Sequence, residues 1–401
     1  MTHTAQHRGW TSEMGRRAAG GALALAIILV ATAIASRPLQ AQTFTVLYAF
    51  KGGVDGYEPL GNLARDAAGN LYGTTVYGGM SGYGVVFKLA ATGKETTLHS
   101  FTGTDGALPQ AGLVRDAAGN FYGTTMDGGA LGWGTVFKLD KTGKETVLLD
   151  FDGEDGAGPT ADLVRDAAGD LYGPTQYGGT GGCNSPGCGV VFKLAKTGEE
   201  TLLHSFTGTG GDGNNPYAAL VRDAAGNLYG TDAGGAYGYG TVFKLDKTGK
   251  ETVLYSFTGY PDDGCGPVGG VIRDAAGNFY GTTLFGGTSD WGTVFELDKT
   301  GKEAVLYSFT GGSDGRNPWA GVVLDAKGNL YGTTEAGGDH NNGTVFMVDE
   351  TGTETVLHAF IGGNDGAAPV AALIWDRAGN LYGTAMSGGT HGVGTVFKLT
   401  P

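Results

Sequence analysis

Helix is the first thing this sequence lacks. No window sustains apolar residues at the three-and-four spacing of an amphipathic helix. Proline is scarce, with 12 in 401 residues, and glycine follows no three-residue period, so a collagen-like rod is excluded despite 78 glycines. Basic residues are short too: 26 Lys and Arg stand against 40 Asp and Glu, a net charge of −14. Residues 1–41 hold Arg8, Arg16, Arg17, Arg37 and Glu13, so without them 22 basic and 39 acidic residues remain, a formal charge of −17. Such a chain repels phosphate backbones and anionic lipid, which excludes nucleic acid as an expected partner and an anionic membrane as a docking surface.

Long apolar runs are limited to one, Ala22 to Ala35, preceded by Arg16 and Arg17. It is shorter than the roughly 20 residues of a bilayer span and fits the apolar region of a signal peptide. Residues 1–41 are therefore expected to be a signal peptide, with cleavage after Ala35 or Ala41 and Met14 as an alternative start. An uncleaved anchor is the alternative. No Cys follows the run, so a lipoprotein anchor is excluded, and the mature chain is expected outside the cytoplasm as a monomer, off the membrane. Cysteine totals three. Cys183 and Cys188 flank four residues in one loop, a spacing that can close a disulfide in an oxidising compartment, and Cys265 is left over.

What is abundant is glycine, one residue in five against an average near 7 %. With 40 % hydrophobic residues, 18 Tyr and 18 Phe, there is material for a core, so the glycines read as turn residues. The segment Asn70-Leu71-Tyr72-Gly73-Thr74-Thr75 returns seven times, with tyrosines at 72, 122, 172, 229, 280, 331 and 382. Four short strands can be read in each unit. In the second they are Leu113–Arg115, Phe121–Thr125, Thr135–Leu139 and Glu145–Phe151, separated by Asp-Ala-Ala-Gly, a glycine-rich loop and Lys-Thr-Gly. Seven such units predict an all-β, seven-bladed β-propeller with four antiparallel strands per blade, a single domain over residues 42–401. An open solenoid is the alternative. Thr43–Phe50 matches a fourth strand, while the seventh unit stops at its third, Phe397-Lys398-Leu399. The amino-terminal strand is therefore expected to join the last blade and close the ring.

The phrase Asp-Ala-Ala-Gly-Asn-Leu-Tyr resembles NHL-repeat and gluconolactonase-like propellers. The full unit, with Gly-Gly-x-x-Gly-x-Gly-Thr-Val-Phe-Lys-Leu and Leu-Tyr-Ser-Phe, resembles the GloVer tandem repeat of exported bacterial proteins over residues 43–400. That resemblance implies a propeller outside the cytoplasm and carries no activity with it.

Residues present in every unit are read as structural. Asp55, Asp105, Asp155, Asp212, Asp263, Asp314 and Asp365 each precede a proline by four positions and mark a turn, with a ring of cation sites as the rival reading. His99, His204 and His358 exchange with Tyr48, Tyr255 and Tyr307, so they read as strand residues. His340 and His391 stand outside the repeat, but with only Asp339 nearby they make no zinc set. Gluconolactonase-like enzymes hold a metal at the channel, where this chain offers only Asn62 and Asp162, so no metal and no cofactor is expected.

Variable residues gather in two loop sets that propeller topology places on one face. Tyr83, Trp133, Tyr239 and Trp291 occupy equivalent loop positions, and Tyr217 and Trp319 lead into inner strands. These six are the candidate binding residues, as exposed loop aromatics suit a sugar or peptide. Packing between blades is the rival reading. The leading expectation is an exported, non-enzymatic binding or scaffold propeller with a carbohydrate or peptide on that face. One alternative is a polysaccharide or lactone lyase or hydrolase using Asp162, Asp290, Glu335, Asp339 and His340. Another is a purely structural surface protein.

Overall fold

In a computed structural model the described residues are 42–183 and 186–401. The expectations for Met14, Arg16, Arg17 and Ala22–Ala35 lie outside them. Among the described residues no helix is long and apolar enough to cross a membrane.

Seven four-stranded antiparallel sheets follow one another along the chain. In the second blade the strands are Val114–Arg115, Phe121–Thr125, Thr135–Leu139 and Glu145–Asp150, and the others repeat this pattern. The inner strand is short, two residues in six blades and three in the fifth (Val271–Arg273). In the seventh blade the outer strand is Thr43–Ala49, paired antiparallel with Thr395–Thr400 from Thr43 opposite Thr400 to Ala49 opposite Thr395. The ring is closed by the amino-terminal strand.

The sequence dictates this packing residue by residue. The Tyr-Gly-Thr strand is buried on both faces, and its glycine is obligatory. A Cβ on Gly123 would sit 2.8 Å from Phe137 Cζ and 3.0 Å from Leu113 Cδ2, inside contact distance. The ring of Phe137 lies in the space so left. Each outer strand then carries a bulge at its leucine: Val86 faces His99 while Phe87 faces Thr97, skipping Leu98. The skipped residues, Leu47, Leu98, Leu148, Leu203, Leu254, Leu306 and Leu357, all pack against core clusters.

Blades are joined by phenylalanine. Phe101, at the end of the first outer strand, meets Phe137 of the second blade edge-to-face at 5.1 Å, and both are fully buried. The same contact recurs at every junction, including Phe50 of the closing strand against Phe87 of the first blade at 5.1 Å. Each such pair contributes about 0.5–1.5 kcal/mol beyond the area it buries. A second tie lies nearer the axis. The guanidinium of Arg222 lies 5.3 Å from the Tyr172 ring of the preceding blade and 3.7 Å from its turn residue Asp166. Arg65 makes the same bridge to Tyr382 and Asp376, across the closure.

Candidate functional site

Both variable loop sets lie on one face. Short bridges join them, as between Ala107 and Asp127 or Ala157 and Tyr177. At the centre they surround a cavity of ≈ 230 Å³ lined by Leu60, Gln110, Thr160, Tyr217, Val268, Trp319 and Val370, with Glu335 and Met386. Tyr217 and Trp319 meet there edge-to-face, ring centroids 6.0 Å apart. Burial raises the Tyr217 phenol pKa.

The floor of this cavity is where the repeat is broken. Small residues occupy the position in five blades, but the first has Asn62 and the third Asp162. Asn62 Nδ2 donates to Asp162 Oδ2 at 2.9 Å, and Asn62 Oδ1 accepts from the Ala372 amide at 2.7 Å. Asp162 Oδ1 accepts from the Gly112 amide. Asp162 is half-buried in the cavity lining, and desolvation raises its carboxyl pKa against the two hydrogen bonds. The pair is a crossbar linking blades seven, one, two and three. Its carboxylate is already engaged at both oxygens.

The six candidate aromatics form two groups. Tyr217 and Trp319 belong to the central cavity. Tyr83, Trp133, Tyr239 and Trp291 lie further out, each covering a glycine of the following connection: Gly103, Gly153, Gly259 and Gly311. Those glycines have positive φ and no side chain, so one ring face seats on backbone. Tyr83, Trp133 and Tyr239 remain 43 %, 42 % and 43 % exposed, so they pack and present a surface at once. Trp291 is more covered, because the Arg316 guanidinium lies 4.8 Å from its ring centroid.

Of the five residues named for an enzyme, the central cavity gathers two. Asp162 and Glu335 line the cavity, whereas Asp290, Asp339 and His340 do not. Asp290 instead accepts from the Gly286 amide. The repeated aspartates are turn and junction residues. Asp55 accepts from Tyr48 Oη at 2.7 Å and from the Lys51 amide; Asp105 pairs with His99 Nε2 at 3.1 Å. A glutamate of the next blade faces most of them, and this was not legible in a single repeat. Glu145 faces Asp105, and burial together with that neighbour pushes its pKa to about 7; Glu303 beside Asp263 and Glu354 beside Asp314 behave alike. Two junctions hold donor types for a divalent cation: His99, Asp105 and Glu145, and His204, Asp212 and Glu251, each with ligand atoms within 4.8 Å of one another. Tyr255 and Tyr307 make the same hydrogen bond to Asp263 and Asp314, so this tie holds a junction without any ion. At the junction between the sixth and seventh blades Phe44 takes the glutamate position and stacks on His358 at 3.6 Å.

Cys183 and Cys188 are joined, with sulfurs 2.01 Å apart, and Cys265 is a free thiol. The opposite face is less uniform than its hairpins suggest. Where five blades carry arginine on the inner strand, the sixth has Leu324 and the seventh Trp375, which meets Tyr331 at 4.8 Å.

Fold and loops define a seven-bladed propeller with one diversified face. The chain belongs to the Gloeobacter/Verrucomicrobia repeat family, whose profile matches residues 34–119, 114–273 and 231–401. No curated protein matches the sequence. Among solved structures, the chain is similar to the extracellular domain of a protein described as a hybrid two component system from B. thetaiotaomicron, with TM-score 0.58 and 12 % identity. That match covers 90 % of this chain and 41 % of the other. The extracellular domain of a protein described as a one component system from the same organism gives TM-score 0.54, 12 % identity and coverage of 88 % and 39 %. A gluconolactonase from Xanthomonas campestris aligns at TM-score 0.44 and 15 % identity, covering 90 % of each chain.

Proposed function

We propose that this protein is an exported, non-enzymatic binding or scaffold propeller that takes a carbohydrate or peptide on its varied loop face. The observation that carries this reading is the set of half-exposed aromatics Tyr83, Trp133 and Tyr239 around a cavity holding Tyr217 and Trp319. Loop aromatics that seat one face and present the other offer stacking surface at little entropic cost. The engaged state of Asp162 supports binding over catalysis, since a general acid or base needs an oxygen free to reach its substrate. The extracellular neighbours support the compartment.

The test is a glycan and peptide array probed with residues 42–401. Saturable retention of a ligand class is expected, weakened by Trp133→Ala or by Tyr217→Ala with Trp319→Ala while the melting profile persists. A folded protein that retains nothing would overturn the reading in favour of a purely structural role. Turnover of a lactone or polysaccharide that is lost in Asp162→Asn would overturn it in favour of an enzyme.

A further inference from the structure

Two blade junctions share one backbone plan and differ in the side chain offered to a tryptophan. Between the fifth and sixth blades, Arg316 bridges Ala336 and lays its guanidinium over Trp291. Between the second and third, Trp133 holds the place of Trp291, and Ala157, bridged to Tyr177, holds the place of Arg316. The backbone confirms the equivalence: Trp133 O accepts from the Gly158 amide at 3.0 Å as Trp291 O accepts from the Asn317 amide at 2.9 Å. The fifth junction fills its tryptophan face with a guanidinium from the chain itself. At the second, no Lys or Arg among the described residues lies over Trp133, which is 42 % exposed.

That junction holds a groove of ≈ 510 Å³ with Trp133 and Tyr177 on its walls, 42 % and 36 % exposed. Asp127 also lines it, and no Lys or Arg does. The Asp127 carboxylate makes no hydrogen bond or ion pair with any described residue, and partial burial raises its pKa. An unbalanced carboxylate beside two aromatic faces is a setting that a soft organic cation satisfies on both counts, through the ring quadrupole and through charge. The surrounding loops reinforce this, since their only basic side chains are Lys51 and Arg316.

We propose that the groove between the second and third blades binds a guanidinium or ammonium group, the arginine or lysine side chain of a peptide, stacked on Trp133 and balanced by Asp127. This rests on the reading that the varied face binds a ligand, and it makes that ligand a basic peptide. Ala157 is the permissive residue. Its methyl brings no guanidinium to Trp133, where Arg316 brings one to Trp291.

The probe is Nα-acetyl-arginine amide, titrated into residues 42–401 and followed by tryptophan fluorescence and NMR line broadening. Its near-isostere Nα-acetyl-citrulline amide, which lacks the charge, should bind at least about tenfold more weakly. Ala157→Arg should supply the cation in cis and abolish binding of the probe. Asp127→Asn should weaken it about tenfold, the loss of one charge partner at a half-exposed site. A melting profile like that of the parent shows that each variant is folded. Equal affinity for the two probes, or unchanged binding in a folded Ala157→Arg variant, would overturn the proposal. If neutral glycans are retained equally by the parent and by Ala157→Arg, this inference falls while the binding-face reading stands. A blank array together with no arginine binding removes both.

Discussion

The two faces of the ring come from the same repeat, yet they have opposite freedoms. On the hairpin face, Asp116 accepts from the amide and side chain of Asn120 and from Tyr122 Oη, and the corresponding residue does the same in most other blades. Those hydrogen bonds hold its carboxyl pKa below the usual range, and Asp376 is lowered to about 2. A residue satisfying that many donors has no room to vary. On the loop face the chain is held mainly by backbone bridges, and its side chains have diverged. Charge follows the same division: the loops carry 16 Asp and Glu against Lys51 and Arg316, while the hairpins carry 14 against 10 Lys and Arg. Structural work fixes one end of each blade and leaves the other available for recognition.

The largest effect expected lies at neither face. Removing residues 42–50 takes Phe50 from Phe87, Tyr48 from Asp55 and the pairing partner from Thr395–Thr400. Loss of cooperative thermal unfolding by circular dichroism is the expected outcome. A next and smaller effect sharpens the contrast between faces. Asp116→Ala strands several donors at once and should cost about 1–3 kcal/mol, whereas Asp127→Ala on the loop face should stay within about 0.5 kcal/mol. Chemical denaturation of both variants checks this, and equal losses would erase the distinction.

The smallest predicted effect is a pH dependence. Glu303 and Glu354 titrate at about 7 in the folded ring, above the ordinary carboxylate value of 4.5. The folded state therefore holds protons that the unfolded chain releases, so this contribution is complete below about 4.5 and is lost as pH rises to 7. The hairpin aspartates act in the opposite direction, losing stability as pH falls below their ordinary range. Melting temperature should peak between these limits and decline gently toward pH 8. Glu303→Gln with Glu354→Gln should make the alkaline side of the profile shallower, Glu145 and Glu251 supplying much of what remains; an unchanged slope would show that these two carboxyls do not contribute to it.

Period and residue type made the fold legible. Phe121–Thr125 and Thr135–Leu139 begin and end in the structure where the turn glycines around them predict, because strand length is set by those turns. The outer strand stops at Asp150 rather than Phe151, as the phenylalanine leaves the sheet to enter the next blade. Sites were less legible because they form across junctions. Glu145 meets Asp105, and Arg316 meets Trp291, only after one blade is laid against the next. Reading those columns requires the register between blades, which no single unit contains. Tyr217 and Trp319 were found as variable residues, yet only the closed ring brings positions 102 residues apart into contact.

The closing strand also sets an order of events. Thr43–Ala49 can find its place only after Thr395–Thr400 has been made and the other blades have curled round to present it. The first strand of the propeller to be synthesised is thus the last to pair, and the search spans the whole domain, the kind of non-local step that slows folding. Until then Phe50 has no blade to serve, and the edge of Thr395–Thr400 stands open to strands from other molecules. Any partner that held residues 43–49 apart during synthesis would delay ring closure.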